Sequence, residues 1–89
     1  FYPVMRLGYL PQPSDPARLA ALVGPSRARM ILLAGQRIGA GEALAWGLID
    51  RIVSPEALMA SAKALAADVL GADQEHLHAL KRMTRGERP

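Results

Sequence analysis

A mainly α fold with one or two short extended segments is what this sequence predicts, and three observations predict it. Glycines at positions 24, 35, 47 and 71 fall where helices should stop. Apolar residues between such stops recur at helical spacing, most clearly Leu58, Ala62, Leu65 and Val69. Much of the 51% hydrophobic content is alanine, which favours helix and contributes little burial energy.

Each element follows from local chemistry. Residues 4–10 are mostly apolar and read as a short extended or irregular segment. Pro11 and Pro13 lack backbone donors and restrict their neighbours, so residues 11–14 form a loop. Asp15 followed by Pro16 predicts a helix start, with the carboxylate as N-cap and proline in the first turn. That helix carries Leu19, Leu22 and Val23 on one side, and Gly24 suits a left-handed stop. Ser26 is the expected cap of a second helix through Leu33, closed by Gly35.

After a brief link at 36–38, Gly39 is expected to cap a short helix bearing Glu42, Ala43 and Leu44 and ending at Gly47. The run from Leu48 to Val53 is rich in β-branched residues and reads as a strand or extended segment. Ser54-Pro55-Glu56 predicts another helix start, and that helix runs to about Leu70-Gly71. Asp73 is the expected cap of a last helix, with Glu75 in its first turn and Leu77 and Leu80 facing inward. It runs to about Met83, and residues 84–89 are expected to fray.

Composition narrows the function classes. The 89 residues amount to one segment: a small domain or a piece of a larger one. A chain this short buries about 60–65% of its unfolded surface, so its core is modest. Phe1, Tyr2, Tyr9 and Trp46 are its only aromatics, and Trp46 is expected to close the end of the short helix by packing. There is no cysteine, so disulfides and thiolate metal sites are excluded. No stretch reads as a membrane span or a secretory leader, and the expected location is cytoplasmic.

The charge is uneven. Residues 1–80 hold seven basic and seven acidic side chains, while Lys81, Arg82, Arg85 and Arg88 against Glu87 supply the whole net +3. A basic tail can meet phosphate, but no aromatic interleaving or groove-reading motif accompanies it, so nucleic acid is not an expected partner. His76 and His78 are two apart on a predicted helix, so they point to different faces and cannot share a metal as an i, i+4 pair would.

Three stretches, in order and without a gap, resemble the enoyl-CoA hydratase/isomerase (crotonase) family. They are Arg6-Leu7-Gly8-Tyr9-Leu10-Pro11; Arg18-Leu19 through Gly24 and Ala28 to Gly35; and Gly35-Gln36-Arg37-Ile38 followed by Glu42 through Val53. The last is the most specific: a glycine, a short link, a Glu-Ala helix, then Gly-Leu-Ile and a basic residue before a valine. The resemblance implies the C-terminal helical and oligomerisation part of an α/β fold whose ββα spiral core lies upstream. The opening Phe1-Tyr2-Pro3-Val4, without an initiator methionine, suits that expectation.

The resemblance also implies chemistry. Family members bind acyl-CoA thioesters, and two backbone N–H groups hold the thioester oxygen as an enolate-like charge develops. Both donors and one of the hydratase acids lie upstream of the matched region, so the 89 residues alone are expected to be inactive. The second hydratase acid follows a proline, four residues before the Leu-Gly glycine, which here is Val4 after Pro3. Valine cannot move a proton, so this chain supplies no catalytic residue at that place, and two-carboxylate hydration is an unexpected reaction for it.

The implied acyl pocket wall is Val4, Pro11, Gln12 and Pro13, stiffer than the glycine-rich loop of many hydratases. Asp15 is the one carboxylate near this loop; it can serve as a base only if it points into the pocket, and an N-cap role accounts for it otherwise. Lys81 and Arg82 are the implied candidates for coenzyme A phosphates. No separate cofactor or metal is expected, and a homotrimer or hexamer is the implied assembly. The residues by themselves leave a second reading open: a non-catalytic helical self-association module or truncated remnant, joined through exposed apolar faces.

Overall fold

The structure, a computed structural model, describes residues 1–88. It holds six α-helices: α1 (Val4–Leu7), α2 (Asp15–Val23), α3 (Pro25–Leu32), α4 (Ala40–Trp46), α5 (Leu58–Leu70) and α6 (Gln74–Met83), with one 3-10 turn at Pro55–Ala57. Helix makes up 61% and there is no β-strand among the described residues. Residues 36–39 and 49–54 lie outside any helix, with extended backbone at Gly39 and Ser54. The chain divides into two compact units, Phe1–Ile52 and Val53–Pro89.

In the first unit, α2 and α3 meet across Gly24, whose φ of 88° no ordinary side chain adopts readily. Val23, Ala28 and Ile31 form the buried centre. Leu19, Trp46, Ile38 and Leu48 pack around it, so the link after Gly35 and the stretch after α4 are held by side-chain contact in place of a strand ladder. Gly47 ends α4 in the left-handed conformation at φ 83°, and a Cβ there would lie 3.1 Å from the Leu22 carbonyl oxygen. Trp46 packs on the cluster as expected, and the Arg27 guanidinium lies 5.1 Å from its ring centre.

Several sequence expectations need correction. Residues 4–7 are a helical turn and not an extended segment: the Leu7 and Gly8 N–H groups donate to the Pro3 and Val4 carbonyls at 3.0 Å, and Gly8 at φ 75° stops the turn. Proline is compatible with this because the first-turn N–H has no helical partner anyway. Asp15 does not cap α2: Ser14 occupies the N-cap position, and no side chain makes a capping bond. Ser26 does not cap α3 either; Gly24 precedes the helix and Pro25 opens it. Residues 84–86, expected to fray, form a turn closed by Arg85 and Gly86 N–H bonds to the Arg82 and Met83 carbonyls, with Gly86 at φ 80°; Pro89 lies outside the described residues.

The second unit follows its reading more closely. Ser54 precedes the 3-10 turn that leads into α5, and Asp73 caps α6 by accepting from the His76 N–H at 3.3 Å. Its packing is different. No described residue of this unit is buried, and Leu58, Leu65 and Val69 of the predicted stripe are 62%, 54% and 46% exposed. Leu77 is half-buried and Leu80 is 49% exposed, and both line a cavity with Val69 of α5. No helix is long and apolar enough to cross a membrane among the described residues.

Candidate functional site

The loop between α1 and α2 is built by backbone bonds. The Gln12 carbonyl accepts from the Asp15 N–H at 3.0 Å, and the Ser14 carbonyl accepts from Arg18 at 3.1 Å. These bonds turn the chain at Pro13-Ser14 and place Asp15 in the first turn of α2. An anion there is favoured by the helix dipole. Its side chain is free of capping duty and is engaged elsewhere: the Tyr2 hydroxyl donates to Asp15 Oδ2 at 2.9 Å. This is a contact across thirteen positions of sequence, tying the segment before α1 to the start of α2.

The bond has an electrostatic consequence. The Tyr2 phenol is held above its usual pKa, first by donating its proton to Asp15, then by partial withdrawal from water, then by the Asp15 charge. Tyr2 and Asp15 sit in the wall of an open groove of about 350 Å³ that runs along Leu19, Leu22, Ile31 and Ile38. Volumes from about 300 Å³ upward accommodate small ligands, and few polar groups in an apolar lining give such a site its direction. A second cavity, about 260 Å³, opens beside Pro3, Met5, Leu33 and the two cations Arg6 and Arg37. The Arg37 guanidinium lies 3.7 Å from the Phe1 ring centre.

The residues expected at the site are distributed as follows. Val4 is buried at 5% exposure on α1, within the packed interior. Pro11 is half-buried, while Gln12 and Pro13 are exposed on the loop. Lys81 and Arg82 occupy the last turn of α6 in the second unit, the first exposed and the second half-buried. The Lys81 carbonyl accepts from the Thr84 hydroxyl at 2.6 Å. Among the described residues no three His, Asp or Glu side chains are grouped to hold a metal.

Two features escaped the sequence reading. Tyr2 as partner of Asp15 carries no local signal, since nothing in a Tyr…Asp separation of thirteen marks a contact. Arg37 was read only as part of a short link, yet it joins Arg6 beside one cavity.

Comparison with known proteins places these features in a wider setting. A family profile described as enoyl-CoA hydratase/isomerase matches residues 2–87. A carnitinyl-CoA dehydratase from Citrobacter koseri is 37% identical over 83 residues, covering 93% of this chain and 32% of its own length. One from Salmonella arizonae is 35% identical over 86 residues, covering 97% of this chain and 33% of its own. The crystal structure of a protein described as of the enoyl-CoA hydratase/isomerase family, from Hyphomonas neptunium, superimposes with a TM-score of 0.78 at 38% identity. It covers 92% of this chain and 31% of its own. The chain thus spans about a third of the length of the curated relatives it matches.

Proposed function

This chain belongs to the enoyl-CoA hydratase/isomerase family, and we propose that it is the C-terminal helical part of an acyl-CoA enzyme that stabilises a thioester enolate. The observation that carries this is the match along residues 2–87, at 37% identity to a named acyl-CoA dehydratase over nearly the whole chain. In this reading the backbone donors for the thioester oxygen come from polypeptide outside these 89 residues. Donors aimed in advance at developing charge supply the largest single catalytic contribution in such sites.

The present chain supplies walls and anchors. Pro11, Gln12 and Pro13 border the acyl group on a stiff loop, and buried Val4 fills the place of an acid with apolar bulk. Lys81 and Arg82 offer charge for coenzyme A phosphates. No separate cofactor is needed; the coenzyme A thioester is the substrate. The relatives' names favour removal of water from a hydroxyacyl-CoA, or its reverse, over isomerisation. The bare apolar residues on α5 favour a homo-oligomer in which another copy covers them. The same exposure favours a second reading, a helical self-association module with no catalysis of its own.

The test compares two polypeptides: the 89-residue chain and the longest natural polypeptide carrying it. Each is given crotonyl-CoA and carnitinyl-CoA, and loss or gain of enoyl-thioester absorbance is followed. The expected result is turnover by the long form only, faster with the carnitinyl thioester. Turnover by the 89 residues alone, or none by the long form, contradicts the proposal.

A further inference from the structure

Two arginines of the first unit share a cavity that holds no acid. Arg6 stands in the last turn of α1 and Arg37 in the link after α3, and both line the opening of about 260 Å³ beside Pro3, Met5 and Leu33. No Asp or Glu is among its lining residues. Neither arginine side chain makes a hydrogen bond or an ion pair among the described residues. The Arg37 guanidinium rests on the Phe1 ring, 3.7 Å from its centre. A guanidinium supported in this way keeps its in-plane N–H donors for another partner.

The backbone beneath both arginines is fixed. Val4, two residues before Arg6, is buried at 5% exposure, and its carbonyl accepts from the Gly8 N–H at 3.0 Å. On either side of Arg37, the Gln36 N–H donates to the Met30 carbonyl at 3.1 Å and Ile38 packs on the buried centre. The plain alternative is that the two cations complement the C-terminal carbonyls of α3. The bonds at that helix end argue against it: the Arg29 and Met30 carbonyls are taken by the Leu33, Ala34 and Gln36 N–H groups.

We infer that Arg6 and Arg37 form a binding site for a phosphate monoester. Two cations that line one cavity without a carboxylate gain from a shared anion. A phosphate monoester carries a charge of about −1.5 to −2 at pH 7 and three strong acceptor oxygens, which two guanidinium forks can share. A carboxylate brings one charge and two oxygens, enough for a single fork. Pro3, Met5 and Leu33 give apolar contact to the organic group that carries the phosphate. The lining includes neither Lys81 nor Arg82. Two sources carry this chemistry, a free small phosphate ester and the ribose phosphate of a coenzyme A thioester, so the inference does not rest on the acyl-CoA reading.

The experiment is a calorimetric titration of the longest natural polypeptide carrying the sequence with methyl phosphate, at low salt, where exposed charges are least screened. Saturable binding is expected, with acetate at least about fivefold weaker. Arg6→Gln and Arg37→Gln are each expected to weaken methyl phosphate binding about tenfold. Arg51→Gln, exposed and outside the cavity, is expected to leave it unchanged. Arg6→Lys and Arg37→Lys keep the charge and lose the fork, and a loss of about threefold is expected from each. No binding by the wild type, equal binding of acetate, or affinity within about twofold of wild type in both glutamine variants overturns the inference. Should the glutamine variants not fold, the lysine variants decide, and wild-type affinity in both overturns it. Coenzyme A and dephospho-coenzyme A then separate the sources. A loss in Arg6→Gln confined to coenzyme A assigns the site to the ribose phosphate of the thioester. Unchanged binding of both, beside a loss for methyl phosphate, assigns it to a separate ester. Absence of thioester turnover overturns the acyl-CoA reading alone; the phosphate titration stands apart from it.

Discussion

The two units contrast in how they use nearly equal helical content. Phe1–Ile52 closes on itself: the five buried residues among those described, Val4, Val23, Ala28, Ile31 and Ala43, belong to it. Val53–Pro89 buries none among its described residues, although α5 is the longest and most apolar helix of the chain. The thirteen residues of α5, ten of them leucine, methionine, valine or alanine, have helix propensity in excess and packing in deficit. The lesson is that a helix can be fully specified by its sequence while its burial is specified by something outside it.

Substitutions should separate the units sharply. Ile31→Ala in the first unit empties a buried site and should cost about 2–4 kcal/mol, enough to abolish cooperative urea unfolding of so small a core. Leu65→Ala on α5 in the 89-residue chain, at a position 54% exposed, should change stability by under about 0.5 kcal/mol. Equal effects from the two would break the contrast. A large Leu65→Ala effect appearing only in a longer or assembled form would sharpen it, because there the stripe would be covered.

Next in size is Gly47→Ala. It places a side chain in the left-handed region and brings Cβ within 3.1 Å of a backbone oxygen, so a loss of about 1–2 kcal/mol in thermal unfolding is expected. In the second unit, Asp73→Ala removes the side-chain N-cap of α6 and should cost about 1 kcal/mol of helix stability, seen as reduced far-ultraviolet helicity.

A smaller effect tests the Tyr2–Asp15 tie. Because Tyr2 is held above its ordinary pKa, this contact stabilises the fold fully below that ordinary value and is lost as pH climbs through the raised one. In a Tyr9→Phe background, Asp15→Ala should move the phenolate absorbance transition of Tyr2 to lower pH; an unmoved transition would show that the tie does not form. The smallest effect expected is that of Arg85→Ala, whose 2.8 Å ion pair with Glu87 is more than half exposed on both sides; unfolding should shift by less than about 0.5 kcal/mol and respond little to salt.

These contrasts also mark what the residues revealed by themselves. Gly39, Gly47 and Asp73 were legible because each acts on its immediate neighbours: Gly39 stands extended at a helix start, Gly47 takes the left-handed stop, and a carboxylate reaches an N–H three positions on. Helix α1 was not, since four residues after a proline show no periodicity to read. Asp15 was misread because capping is a local rule, and a tyrosine thirteen positions away outcompeted it. The stripe on α5 was visible, but periodicity reports only that a face is apolar and not what covers it. At the candidate site, Val4 was identified as the place of a missing acid, whereas the groove that contains Asp15 depends on how α2 and α3 pack.

The most direct test of the central claim is the intact mass of the polypeptide carrying this sequence, captured from its native cells and measured by mass spectrometry. On the proposed reading, further chain covers these helices and supplies the thioester donors, at the length of relatives of which this sequence covers 32%, and the expected mass is about three times the 9.5 kDa of the 89 residues. A native species of 9.5 kDa would contradict it and leave self-association as the purpose of the exposed α5 face.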